Sequence, residues 1–180
     1  MLKKANIKKQ ICILGLGHIG LPTACILATS GYSVLGVDID EKVIIRAQSA
    51  DLSRQEPKLQ NLLIRAIHSG NFKISKQAAS AAIYIIAVPT PLGPGHQPDL
   101  SAIYAVVEAI RPWLQADNLV LIESTCPIGT TDIITKKLRY TCPRVQIAYC
   151  PERVLPGNIL HELIHNDRVA SAQARLGWVE

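Results

Sequence analysis

The chain is expected to fold as an α/β protein with a doubly wound parallel sheet in a single domain, and three observations predict it. Short, β-branched apolar runs recur along the 180 residues, as they do in strands buried on both faces. Stretches with helical spacing separate them, so strand and helix alternate. The first run ends in a glycine-rich turn, Gly15-Leu16-Gly17-His18-Ile19-Gly20, which opens the first helix. A composition of 48% apolar residues supplies a substantial core for a domain of this length.

In chain order, strands are expected at Gln10–Leu14, Ser33–Val37, residues 82–88, Leu119–Ile122 and residues 145–149, with a weaker one at Phe72–Ser75. Helices are expected over residues 18–30, 40–50, 57–69, 100–114 and 130–140, with a further helix after Asn158. Gly31 and Gly70 close their helices, where a left-handed residue is needed. Asp99 is the expected N-cap before Leu100, and Pro98 stops any earlier helical turn. The least regular stretch, residues 89–98, carries four prolines and two glycines directly after a strand. Its composition alone describes a stiff surface connection. In open α/β sheets the ligand lies beyond the carboxyl ends of the strands, so this loop, Ser124-Thr125 and Pro151-Glu152 should border one crevice.

The glycine turn has a mechanical logic. Gly15 permits the tight turn, Gly17 lets the backbone approach a pyrophosphate, and Gly20 lets helix and strand pack closely. Phosphates then rest on helix-end N–H groups. Asp38 closes the next apolar run, where a carboxylate accepts hydrogen bonds from the adenosine ribose and repels a 2′-phosphate. Residues 39–42, Ile-Asp-Glu-Lys, add no arginine to receive one. The order strand, glycine turn, helix, strand, acid is the Rossmann-type dinucleotide fingerprint, with NAD favoured over NADP.

Charge and cysteine usage exclude other classes. The net charge of +5 is spread along the chain, with Lys3, Lys4, Lys8 and Lys9 leading it, and one Phe offers no basic-aromatic interleaving for nucleic acid. A basic cleft for an anionic cofactor is the better use of that charge. The N-terminal lysines followed by apolar residues have the outline of a secretory signal, yet three glycines and His18 cut the apolar region. No apolar run approaches the ~20 residues of a bilayer span. The five cysteines, Cys12, Cys25, Cys126, Cys142 and Cys150, are odd in number and form no C-x-x-C pair, which fits reduced thiols in the cytoplasm.

Three further features invite chemistry. His161-Glu162-Leu163-Ile164-His165 matches H-E-x-x-H, the zinc hydrolase spacing, although a third ligand is also required and the upstream half describes a dinucleotide fold. No metal is therefore expected. Cys126 follows Thr125 on a strand-end loop but has no local histidine to activate it. Cys150 adjoins Pro151-Glu152, where a buried strand-end thiol is the simpler account, and Glu152 itself can cap or brace a loop. His68 and His96 read as surface residues.

Six stretches carry a resemblance to a known family: residues 15–24 (Gly-Leu-Gly-His-Ile-Gly-Leu-Pro-Thr-Ala), 36–39 (Gly-Val-Asp-Ile), 87–91 (Ala-Val-Pro-Thr-Pro), 123–131 (Glu-Ser-Thr-Cys-Pro-Ile-Gly-Thr-Thr), 147–157 (Ile-Ala-Tyr-Cys-Pro-Glu-Arg-Val-Leu-Pro-Gly) and 166–169 (Asn-Asp-Arg-Val). In this order they resemble the UDP-glucose/GDP-mannose dehydrogenase family, whose members oxidise the C6 hydroxymethyl of a nucleotide sugar to a carboxylate with two NAD molecules in succession. The resemblance implies that Gly15, Gly17, His18, Ile19, Gly20 and Asp38 hold the adenosine and phosphate end of NAD. It implies that Val88, Pro89, Thr90, Ser124 and Thr125 flank the nicotinamide end. Glu152 becomes a supporting acid/base group for hydrolysis of an enzyme-bound thioester, and Glu152, Arg153, Val154 and Leu155 touch the UDP-sugar. His18 stands where tyrosine is common in relatives.

The same resemblance sets the expected domain plan. Residues 1–169 correspond to the family's NAD-binding domain and residues 170–180 diverge from it. The family's central and C-terminal domains, with the cysteine nucleophile and its lysine partner, lie beyond this chain, which reads as a truncated product that is inactive alone. A non-catalytic NAD-binding remnant is the alternative. Apolar surface on the last strands and on the helix after Asn158 should be exposed, which favours a homo-oligomer or other self-association.

Overall fold

The computed structural model describes residues 10–52, 57–155 and 158–172. Seven strands form one sheet in the order β3-β2-β1-β4-β5-β6-β7: β1 (Gln10–Leu14), β2 (Ser33–Val37), β3 (Phe72–Ser75), β4 (Ile83–Ile86), β5 (Leu119–Ile122), β6 (Gln146–Tyr149) and β7 (Ser171–Ala172). The first six are parallel, and β7 runs antiparallel to β6. The chain winds outward from β1 in one direction through β2 and β3, then returns to β4 on the other side. The strand order thus reverses between β1 and β4, which opens a crevice at their carboxyl ends.

Alternation along each strand feeds two cores. Ile11 and Ile13 of β1, Val34 of β2 and Ile85 of β4 pack with α1 (Gly20–Thr29), α2 (Glu41–Gln48) and α3 (Pro57–His68) through Leu21, Cys25, Ala28, Ala47 and Leu63. Cys12, Leu14, Leu35, Tyr84, Ile86, Val120 and Ile122 face the opposite side. There they meet Ile103 and Val107 of α4 (Ser101–Ile110) and Ile134 and Leu138 of α5 (Thr130–Thr141). This is the predicted doubly wound sheet. Burial also explains the cysteines: the Cys12 thiol is pushed up to about 11 and that of Cys25 to about 12, so both behave as core hydrophobes.

Several boundaries differ from the sequence expectation for local reasons. α1 begins at Gly20 rather than at residue 18, because residues 15–19 make the turn itself. The helix expected over residues 100–114 stops at Ile110, and Arg111–Trp113 continue as a single 3-10 turn, since Pro112 has no N–H to extend the ladder. Asp99 accepts the Ser101 N–H at 2.8 Å, although the backbone cap position falls on Leu100. α6 (Ile159–His165) follows Asn158 as expected. β7, two residues long, had no detectable strand pattern.

The proline-rich stretch is pinned rather than loose. Leu92 bridges Pro98, the Gly93 N–H donates to the Gln97 carbonyl at 2.7 Å, and the Asp99 N–H donates to Pro91 at 2.8 Å. The loop therefore projects from the end of β4 as a short fixed tongue beside the crevice.

Candidate cofactor cleft

The glycine turn is fixed by backbone packing. Gly15 adopts φ +97°, and its N–H donates to the Val37 carbonyl at 2.8 Å, which ties the turn to the end of β2. A Cβ on Gly15 would lie 2.4 Å from the Ala87 carbonyl oxygen, and one on Gly20 would lie 1.8 Å from the Gly15 oxygen. Both positions exclude any side chain. A Cβ on Gly17 would meet nothing within 4 Å, so here the backbone faces open space. The residue before α1, Ile19, makes no side-chain capping bond, and the first turn of the helix carries no acid. The open cradle at Gly17 and the side-chain-free helix start fit a pyrophosphate, which helix-end N–H groups and the helix dipole would hold.

Asp38 sits half-buried at the carboxyl end of β2, where it braces the same turn. Its Oδ2 accepts the Leu16 N–H at 2.8 Å and its Oδ1 accepts the Asp40 N–H at 2.9 Å. A carboxylate offers about four acceptor sites, so two are used and the others remain for ribose hydroxyls. With a dinucleotide seated on this turn, its charge would oppose a 2′-phosphate.

Beyond the turn, the structure gathers Ile19, Val88, Pro89, Thr90, Ser124, Thr125 and Glu152 around one open cleft of about 190 Å3, at the carboxyl ends of β1, β4, β5 and β6. Ser124 is locked in place: its hydroxyl donates to the Val88 carbonyl at 2.7 Å. Glu152 is drawn back onto its own loop, where a side-chain oxygen accepts the Val154 N–H. The segment after it stands aside. Arg153 and Val154 line a neighbouring shallow groove with Glu162, Leu163 and Arg168, and the Leu155 N–H donates to Glu162 Oε2 at 2.8 Å. The structure therefore brings Glu152 to the cleft but not Arg153, Val154 and Leu155. His18 is exposed beside Gly17 and is not among the residues lining this cleft.

Glu123 and Arg168 were not singled out in the sequence. Glu123 lines the cleft at the end of β5, is 4% exposed, and its Oε1 accepts the Arg168 guanidinium at 2.6 Å. Burial pushes its carboxyl above the usual range, the Arg168 charge opposes that rise, and the Glu152 charge adds to it. An acid placed immediately after an apolar strand was the available signal.

The other candidates take structural roles. Burial raises the Cys126 thiol, although Thr130 and Tyr149 hydrogen-bond it, so it is no activated thiolate. His161 and His165 stack with ring centroids 4.2 Å apart. Glu162 accepts N–H groups from Leu155, Asn158 and Asn166, which makes it a brace for the α6 segment. Among the described residues no cluster of three or more His, Cys, Asp or Glu side chains could hold a metal ion. Nor is any helix there long and apolar enough to cross a membrane.

Comparison with known proteins agrees with this geometry. Residues 9–175 match the model of the UDP-glucose/GDP-mannose dehydrogenase family, NAD binding domain. UDP-N-acetyl-D-mannosamine dehydrogenase of Methanocaldococcus jannaschii is 46% identical over 171 residues, covering 93% of this chain and 40% of that protein. Its Campylobacter jejuni counterpart is 39% identical, over 91% of this chain and 44% of that one. Among solved structures, a UDP-N-acetyl-mannosamine dehydrogenase of Staphylococcus aureus superposes with a TM-score of 0.86 at 35% identity, covering 92% of this chain and 42% of that one. The chain thus spans about two fifths of the length of these relatives. It belongs to the UDP-glucose/GDP-mannose dehydrogenase family, of which it carries the NAD binding domain.

Proposed function

We propose that this chain is the cofactor-holding part of a nucleotide-sugar 6-dehydrogenase acting on UDP-N-acetyl-D-mannosamine, with UDP-N-acetyl-D-mannosaminuronate as the product. The observation that carries this reading is the cleft that Ile19, at the end of the glycine turn, shares with Val88–Thr90 and Ser124–Thr125, beside a turn whose backbone is open at Gly17 and braced by Asp38. Bound NAD supplies the hydride acceptor. This chain's own residues bind and orient it: Gly15, Gly17 and Gly20 shape the phosphate seat, and Asp38 selects an unphosphorylated ribose. Val88, Pro89, Thr90, Ser124 and Thr125 wall the nicotinamide end, and Glu152 handles a proton beside the reacting carbon. Arg153, Val154 and Leu155 are assigned to the sugar nucleotide, which requires their segment to turn toward the cleft when substrate binds.

Oxidation to the acid also needs a thiolate that captures the aldehyde. Among the described residues Cys12, Cys25, Cys142 and Cys150 are buried, and the Cys126 thiol is raised. The 180-residue chain by itself is therefore expected to bind NAD without turning over substrate, in a cytoplasmic setting that keeps its thiols reduced. A pure NAD-binding remnant remains the second reading, favoured by the position of Arg153–Leu155 outside the cleft.

Titration of the purified chain with NAD, NADP and ADP-ribose, followed by addition of UDP-N-acetyl-D-mannosamine with absorbance read for NADH, tests both statements. NAD and ADP-ribose should bind with NADP at least about tenfold weaker, consistent with one unsatisfied buried charge contact. Equal affinity for NAD and NADP defeats the Asp38 assignment. Sustained NADH production defeats the thiol argument. Binding of UDP-N-acetyl-D-mannosamine separates the dehydrogenase reading from the remnant.

A further inference from the structure

Glu123 is the one buried acid of the cleft that the proposed reaction leaves unused. It ends β5 next to Ser124 and Thr125, with Glu152 lining the same space. Arg168, arriving from a segment 45 residues later, takes its Oε1, while Oε2 is buried with no hydrogen-bond partner. The guanidinium belongs to the neighbouring groove and also engages the Cys150 side chain. Its positive charge is thus set on the side of Glu123 that faces the groove. Oε2 is shut off from water and from ligand donors, so what it projects into the cleft is its field. A dry carboxylate is poorly screened, and a second one, Glu152, adds to it.

Resting on the cofactor reading above, we propose that Glu123, together with Glu152, gives this cleft an oxidation-state preference: its charge favours the cationic pyridinium ring of the oxidised dinucleotide over the neutral dihydropyridine ring of the reduced one. The adenosine and phosphate halves of the two forms are identical, so the discrimination arises only at this end. A cleft so charged holds the incoming cofactor and releases the spent one. No ligand contact to Glu123 is needed, which fits an oxygen that is buried and without a hydrogen-bond partner. Arg168 is a positioning residue in this scheme, since it fixes the carboxylate and moderates its charge.

Calorimetric or fluorescence titration of the 180-residue chain with NAD, NADH and ADP-ribose tests it. The wild-type chain should bind NAD several-fold more tightly than NADH. Glu123→Gln should lower the NAD to NADH affinity ratio about three- to tenfold, as expected for removal of one partly screened charge near the ring, with ADP-ribose affinity unchanged. An unchanged ratio in a variant that still binds ADP-ribose overturns the proposal. Failure of the wild-type chain to bind ADP-ribose overturns the cofactor reading itself, and this proposal with it.

Should Glu123→Gln not fold, the wild-type ratio measured from about pH 8 to about pH 5 carries the same test, because acid removes carboxylate charge. The groups facing Glu123 are Glu152, Arg168 and, through Arg168, Cys150. The ratio should fall on acidification, and a flat profile overturns the proposal.

Discussion

The glycine turn reaches the cleft through Ile19 and the segment around α6 lines the groove beside it, and the two are built in opposite ways. The turn is held by backbone against backbone: Gly15 and Gly20 leave no room for a methyl group, and Leu16 is tied to Asp38. The α6 segment is held by side chains, through Glu162 to Leu155 and Arg168 to Glu123, and α6 buries none of its residues. Leu155, Ile164 and Val169 are 69%, 58% and 61% exposed. The turn is thus complete in local structure, whereas the α6 side presents apolar surface and contacts made by side chains. The difference teaches that backbone packing can complete a turn from local sequence, whereas a segment held by side chains depends on partners distant in the chain.

The strongest way to break that contrast is to add one methyl group at two glycines. Gly20→Ala should destabilise the chain by about 3 kcal/mol or more in urea unfolding, because its Cβ would overlap backbone. Gly17→Ala should shift stability by no more than about 0.5 kcal/mol, having no neighbour to strike. Its NAD affinity should nonetheless fall about tenfold or more, since the methyl stands in the phosphate space. A Gly17→Ala chain that binds NAD normally would remove the pyrophosphate from this turn.

Next in size, Asp38→Asn keeps an acceptor for Leu16 but deletes the charge. Discrimination of NAD over NADP should shrink about tenfold in competition binding, equivalent to the loss of one charged contact. If NADP remains as disfavoured as before, the selectivity resides elsewhere.

A subtler difference lies in acid response. The folded Glu123 carboxyl is raised by burial, so its protonation stabilises the fold; that contribution is complete below the unfolded value and is lost as pH rises through the folded one. The stability advantage of the wild-type chain over Glu123→Gln should therefore decline as pH rises from about 4 to about 7, read by urea midpoints. A widening gap would show that Arg168 outweighs burial.

The smallest effect belongs to the surface. Arg144 forks onto Asp117 through bonds of 3.2 and 2.5 Å, yet both side chains are exposed, and Arg144→Ala should change stability by no more than about 0.5 kcal/mol in the same assay. A larger loss would mean that this pair holds the β5 and β6 loops in register.

What the sequence made legible follows from the range of the forces involved. Short β-branched runs, the glycine spacing and Asp38 are local signals, and the doubly wound sheet, the turn and the cleft edges at Pro89–Thr90 and Ser124–Thr125 answer to them. Pro112 is an equally local signal, and it ends α4 at Ile110. The rest depends on contacts distant in sequence. Glu123 is paired only because Arg168 reaches it from beyond α6, and β7 exists only because β6 offers an edge. Arg153 and Val154 adjoin Glu152 in the chain, yet the loop turns them into another groove, which no spacing rule states.

That two-residue β7 has a bearing on how the molecule behaves in company. It covers Ala148 and Tyr149 on the rail of β6, while at the opposite margin β3 is four residues long and carries exposed Lys73. Short margins and an outward ammonium discourage neighbours from zipping on strand to strand.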